Sequence, residues 1–234
     1  TATKVLNGTY VYPAGFDQST KDLLQECARI RLQVPANSVD TRINTSQWQN
    51  RWKTTKGKTS SSISGLHFGH YKAGASSDMI SVFHALKLTI ALQRGLAFSR
   101  WKHGLSVMLE KMFGCTMVEK LRVILLMKAD FNCSNKIIFG DRMMNNARKY
   151  GLMPEEIYSE RGKMADDGSL AKILFYDIIR QARISAALSS IDAANCYDSV
   201  AHAMASIIFR ALGVPQEAVT SMFIAIQNMM YHLR

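Results

Sequence analysis

Ser189-Ser190-Ile191-Asp192-Ala193-Ala194-Asn195-Cys196-Tyr197-Asp198-Ser199-Val200 is the stretch on which the reading of this chain turns. Upstream, residues 184–191 are small and apolar with no breaker, which predicts a buried strand. Downstream, Met204, Ile207, Ile208, Ala211 and Leu212 recur at helical spacing, which predicts a helix over 201–212. Asp192 then stands at the carboxyl end of a buried strand. An acid there is costly unless a cation, a polar partner or water receives it. Two roles fit: ligand for a cation, or cap of the turn and helix that follow, a role Asp198 fills equally well.

The wider composition narrows the field. With 234 residues, 47% hydrophobic and 20% charged, the chain has enough material for one or two globular domains. No apolar run approaches the ~18 residues of a membrane span, and the first residues lack a secretory pattern, so an intracellular protein of cytoplasm or nucleus is expected. The chain starts on Thr and stops inside a helical pattern, which reads as a piece of something longer. Its four cysteines (Cys27, Cys115, Cys133, Cys196) form no Cys-x-x-Cys pair, against a zinc module or a disulfide framework and in keeping with a reducing compartment.

The net charge of +11 is concentrated. Residues 41–150 hold 18 basic and 5 acidic side chains, net +13, while residues 151–234 hold 7 basic and 9 acidic, net −2. A block of this kind fits a polyanion, nucleic acid being the commonest, or else a solvated basic face with no specific partner. Between Asp40 and Asp78 there is no acid at all. That interval carries Lys53, Lys56 and Lys58 in a polar linker, then Ser64-Gly65-Leu66-His67-Phe68-Gly69-His70-Tyr71-Lys72. Glycine, hydroxyl and basic groups in one loop suit a phosphate backbone, which makes His67, His70 and Lys72, with the linker's Lys53, Lys56 and Lys58, candidate contacts. The two histidines have metal-ligand spacing but no carboxylate or cysteine nearby.

Several helices are marked by their ends. Asp17 or Ser19 caps one running to about Val34, where Pro35 stops it. A weaker pattern over 39–52 puts Trp48 and Trp52 on one face, able to stack on bases but more commonly a packing pair. Ser76-Ser77-Asp78 precedes a long helix over 79–98, with Ile80, Phe83, Leu86 or Lys87, Ile90 and Ala91 expected on its core face. Residues 105–110 and 121–127 predict a β-hairpin with basic groups at its rim. Residues 131–150 and 170–183 predict further helices, with Asp166 and Asp167 as first-turn acids of the latter. Pro215 opens a last helix expected to reach residue 234.

Asp192-x-x-x-Cys196-Tyr197-Asp198-Ser199-Val200 resembles the first catalytic motif of reverse transcriptases, in the Asp-x-x-x-Ala-Phe-Asp-Ser-Val form of non-LTR retroelements. Cys196 stands where Ala is usual. Trp101-x-x-Gly104, then Glu110-Lys111, then Leu121-Arg122-Val123-Ile124-Leu125-Leu126 is similar to the fingers hairpin of that family, with Glu110 and Val123 in place of prolines. The resemblance implies that Asp192 is the catalytic, metal-binding carboxylate, for magnesium or manganese in its place. It implies that Tyr197 and Ala193 lie against the incoming nucleotide, and that Lys111 and Arg122 bind its triphosphate. It implies that Lys136 and Arg142, on the helix after the hairpin, contact nucleic acid. Glu160 and Gly162 match a Gln-x-Gly stretch in part, and Ser64-Gly65 matches the opening of the fingers weakly. Met164-Ala165-Asp166-Asp167 imitates the second catalytic motif but precedes Asp192, so that second pair is expected beyond residue 234.

The fold this implies is α+β: helix-rich, reverse-transcriptase-like fingers with a partial palm sheet, a fragment of a right-hand polymerase. Its expected parts are a basic helical extension (1–59), a fingers-like region (60–183) and a partial palm (184–234). The expected partners are an RNA template, a DNA primer and deoxynucleoside triphosphates, with no membrane, the oligomeric state being left open. A non-catalytic basic domain for nucleic-acid binding or assembly, derived from a decayed retroelement, is the other class the sequence allows.

Overall fold

A computed structural model describes residues 1–59, 62–114, 117–154, 162–187, 189 and 200–233. The described part is α+β and mostly helical, with one small sheet. It forms two compact units, Thr1–Asn146 with His202–Arg234, and Ala147–Ala201.

The first unit begins with α1 (Ala2–Leu6). Next comes α2 (Gln18–Gln33), started by the Asp17 carboxylate accepting from Thr20 N–H at 2.8 Å. Val5 and Leu6 pack with Leu24 and Cys27 of α2 and with Ile207 and Ala211 of α9 (His202–Ala211) in a small satellite core. The main core gathers α3 (Thr45–Lys53), α4 (Phe68–Gly74), α5 (Asp78–Arg94) and α10 (Gln216–Gln227). Asn44 starts α3, accepting from Gln47 N–H while Gln47 returns the contact to Asn44 N–H. Trp48 and Trp52 are both buried, 6.1 Å apart, so the tryptophan pair packs the interior and offers no ring to a base. The expected loop over 64–72 is α4 from Phe68 onward, with Tyr71 stacked on Trp52.

Helix α5 forms as expected but faces the other way. Its buried line is Ser81, Ala85, Leu88, Thr89, Ala91 and Leu92. Of the predicted core face only Ala91 is buried; Ile80, Phe83, Leu86 and Ile90 are exposed, Phe83 at 62%. The reason is close approach. Small residues on the inner face let α3 and α10 come near, and Thr89 Oγ1 accepts from Ile43 N–H at 2.9 Å, a bond no large apolar residue supplies. Burying Leu88 and Leu92 completely is worth ~1.5–3 kcal/mol each.

The hairpin is present: β1 (His103–Glu110) pairs antiparallel with β2 (Leu121–Leu126). Trp101, just before β1, is buried against Phe98 and Phe131. At Gly104 a Cβ would stand 2.6 Å from Leu125 Cδ1 and 2.9 Å from Met229 Sδ, so the Trp-x-x-Gly spacing seats one large ring and one residue with no side chain. Beyond β2 a continuous helical stretch runs through α6 (Ala129–Asn135), a π-helical segment (Lys136–Arg142) and α7 (Met143–Lys149).

The chain end departs from expectation. Helix α10 stops at Gln227, and β3 (Met230–Leu233) pairs parallel with β1, giving the order β2-β1-β3. The last residues complete a sheet and not a helix. Its central strand lies far upstream in sequence, which periodicity within a short window does not report. The turn before α10 is fixed by Gly213, at φ +90°, where a Cβ would meet Ser38 Oγ at 2.2 Å.

In the second unit, α8 (Ala165–Ala182) carries Asp166 and Asp167 in its first turn, as expected, and Asp167 accepts from Met164 N–H at 2.6 Å. It buries no residue. Residues 184–187, expected to begin a strand, are in no strand; the rest of that expected strand, except exposed Ser189, lies outside the described residues.

Candidate nucleic-acid and nucleotide interface

Asp192, Ala193 and Tyr197 lie outside the described residues, as does Glu160. What the structure describes is the surroundings of the remaining candidates, and it sorts them into four settings.

The first is the end of the hairpin. The register sets Leu109 opposite Arg122 and Glu110 opposite Leu121, so Lys111, the next residue, and Arg122 share the turn end of the hairpin. Both are exposed. Glu110 closes the turn by accepting from Gly114 N–H at 2.8 Å, a backbone bond that a proline at position 110 could not provide from its side chain.

The second setting is the loop and helix after α3. Lys53, Lys56 and Lys58 are exposed. His70 Nδ1 accepts from His67 N–H at 3.0 Å, which ties the start of α4, and the two rings stack 5.8 Å apart. Lys72 Nζ donates to the Thr55 carbonyl at 3.2 Å and fastens α4 to the loop. Lys136 is exposed, and it lines a cavity with Lys56 that is taken up below.

The third is Arg142. Its guanidinium donates to the Asp40 carbonyl and to Gln47 Oε1, the latter at 2.8 Å, so it clamps the loop before α3. Burial lowers its pKa, opposed by the nearby Asp40 charge.

The fourth setting was not singled out from sequence. Asp130 is fully buried; one carboxylate oxygen accepts from Lys87 Nζ at 3.2 Å and from the Arg100 guanidinium, and the other has no partner. Arg100 also donates to the Tyr71 hydroxyl at 3.2 Å. Lys87 Nζ stands 3.0 Å from His84 Nδ1. Burial, then Lys87 and Arg100, push the His84 ring down to about 4, so at neutral pH it is uncharged and accepts from the lysine. Lys128 is buried too, and burial lowers its ammonium. The available signal was scarcity: Asp130 is one of only 5 acids in the basic block, directly after an apolar strand.

Cys27 and Cys133 are free and buried, and burial pushes the Cys133 thiol up to about 12, so neither is a reactive thiolate. Among the described residues no group of three or more His, Cys, Asp or Glu side chains could hold a metal ion, and no helix is long and apolar enough to cross a membrane. No protein-family model matches the chain, and no curated protein matches it either.

Proposed function

We propose that this chain is the fingers and first part of the palm of a reverse transcriptase, an RNA-directed DNA polymerase. The observation that carries the reading is the hairpin end, where two exposed cations share one rim, Lys111 just after β1 and Arg122 in β2. Two positive charges at one rim suit a triphosphate, whose charge is spread over several oxygens. The Trp101 and Gly104 pair supports the same reading, because both residues have a packing reason to stand at that spacing. The charge of +13 over residues 41–150 suits a template-primer duplex.

In this reading the chain's own residues bind and orient. Lys111 and Arg122 hold the triphosphate, Tyr197 and Ala193 border the sugar, and Asp192 supplies a carboxylate for magnesium. The metal, when bound, would activate the attacking primer 3′-hydroxyl and neutralise the leaving pyrophosphate. The reading places the protein in the cytoplasm or nucleus.

Primer extension by the full-length protein tests it. Asp192→Asn is expected to abolish nucleotide addition while leaving template binding nearly unchanged. Extension at more than a few per cent of the parent rate would sink the assignment of Asp192. A parent that binds template-primer tightly but never extends it would favour the non-catalytic binding module.

A further inference from the structure

A cavity of about 380 Å³ opens between the loop after α3 and the start of the π-helical segment. Arg51, Lys56 and Lys136 supply three cations to its wall, and among the described residues no carboxylate lines it. Arg51 has a distant carboxylate, Asp141 at 3.9 Å. Among the described residues neither the Lys56 nor the Lys136 ammonium has a hydrogen-bond or ion-pair partner. Three like charges converging on one hollow repel each other, and an anion relieves that. The threonines of the wall do not compete for it: the Thr54, Thr55 and Thr59 hydroxyls already donate to backbone carbonyls at 2.7–3.2 Å. The rest of the wall is Trp52, Phe68, Asn132 and Cys133, two of the four aromatic. Phe68 is half-buried and lies edge-on to Trp52 at 5.6 Å. Trp52, which also lines the cavity, has a buried indole N–H with no acceptor.

We propose that this cavity is a subsite for one nucleotide of a single strand, with Arg51, Lys56 and Lys136 around its phosphodiester and Phe68 against its base. The volume is that of a small-ligand pocket, too large for a phosphate alone. Cations beside an aromatic wall are the combination that holds single strands without reading sequence. The inference rests on the reading of the chain as a nucleic-acid binder. It adds a site built from α3, its following loop and the helix after β2, separate in sequence from the hairpin end and from Asp192.

The test is fluorescence anisotropy of the whole chain with a short labelled oligothymidylate, repeated across salt concentrations. Lys56→Gln with Lys136→Gln is expected to weaken binding on the order of tenfold and to reduce the salt slope by roughly 0.7, the value for one phosphate of a single strand. Phe68→Leu is expected to weaken binding with the slope unchanged, and circular dichroism and melting establish that each variant is folded. Unchanged affinity and slope in the double lysine variant overturn the subsite. If Lys111→Gln with Arg122→Gln weakens binding in that same case, the polymerase reading stands without it. A parent chain that binds no oligonucleotide overturns both. Thymidine monophosphate as competitor separates the sources: displacement at oligonucleotide-like concentrations, lost in the lysine variant, overturns the strand assignment in favour of a free nucleotide.

Discussion

The basic block contains two kinds of cation that a charge count treats alike. At the rim of the hairpin Lys111 and Arg122 are exposed. In the interior, Lys87 and Arg100 converge on a fully buried Asp130, with Lys128 also buried. The difference is what neutralises them. The buried pair has its counter-charge inside the protein and is therefore part of the fold. Among the described residues the rim pair has no such internal counter-charge, which leaves it open to a ligand. A net charge of +13 is a sum over both kinds, so the charge available to a polyanion is smaller than the sequence figure.

The largest expected effect follows from removing the internal counter-charge. Asp130→Ala leaves Lys87 and Arg100 converging on a dry site without an anion, and breaking a buried pair from one side costs ~3–5 kcal/mol. Urea denaturation of the variant is expected to show that loss, or no folded baseline at all. A change under about 1 kcal/mol would mean the carboxylate is not what holds those cations, and the contrast with the rim would collapse.

The next effect is a pH dependence confined to the buried cluster. His84 titrates near 4 in the folded chain, against an ordinary 6.5. Between those values the unfolded chain binds a proton that the folded chain refuses, so acidification favours unfolding. Its stabilisation is fully present above 6.5 and is lost as pH falls towards 4. At a half-buried site the loss is on the order of 2 kcal/mol, after allowance for screening. Urea midpoints from pH 7 to pH 4 measure it. His84→Gln keeps an acceptor for Lys87 and is expected to flatten the curve over that window. An equally steep curve in the variant would assign the effect to carboxylates elsewhere.

The sequence made element ends legible and element faces less so. Asp17 and Ser77 start α2 and α5 through a side chain that accepts a first-turn N–H, a local event written within four residues; Asn44 starts α3 in the same way, whereas periodicity places that helix over 39–52. The hairpin was legible because its strands are neighbours in sequence. The inner face of α5 was not, because Ser81, Ala85, Thr89 and Ala91 of its buried line are small or hydroxylic while the exposed stripe is large and apolar. Strand β3 was missed because its pairing with β1 joins His103 to Met230. At the candidate site, the resemblance to the fingers hairpin singled out Lys111 and Arg122, and no motif singled out Asp130, Lys87 or Arg51, whose settings depend on contacts between distant segments. Arg142 shows the same limit: one of the block's cations is occupied with Asp40 and Gln47.

The smallest expected effect sharpens the contrast from its other side. If the rim cations serve a ligand and not the fold, Lys111→Gln and Arg122→Gln should each change stability by no more than about 0.5 kcal/mol, the ordinary range for exposed substitutions. Arg122 is the stricter test, since it sits inside β2 opposite Leu109 and its stem could cover apolar surface. Its cross-strand partner argues against that: Leu109 is itself 44% exposed, so the stem hides little there. In the full-length protein the same two variants should raise the KM for deoxynucleoside triphosphate several-fold each, at unchanged melting temperature. Charge-assisted bonds to phosphate are the stronger class of hydrogen bond, and their loss is felt only when the ligand is present. A loss of stability above about 1 kcal/mol in Arg122→Gln, with KM unmoved, would make the rim arginine a part of the fold like Arg100 and remove it from the triphosphate.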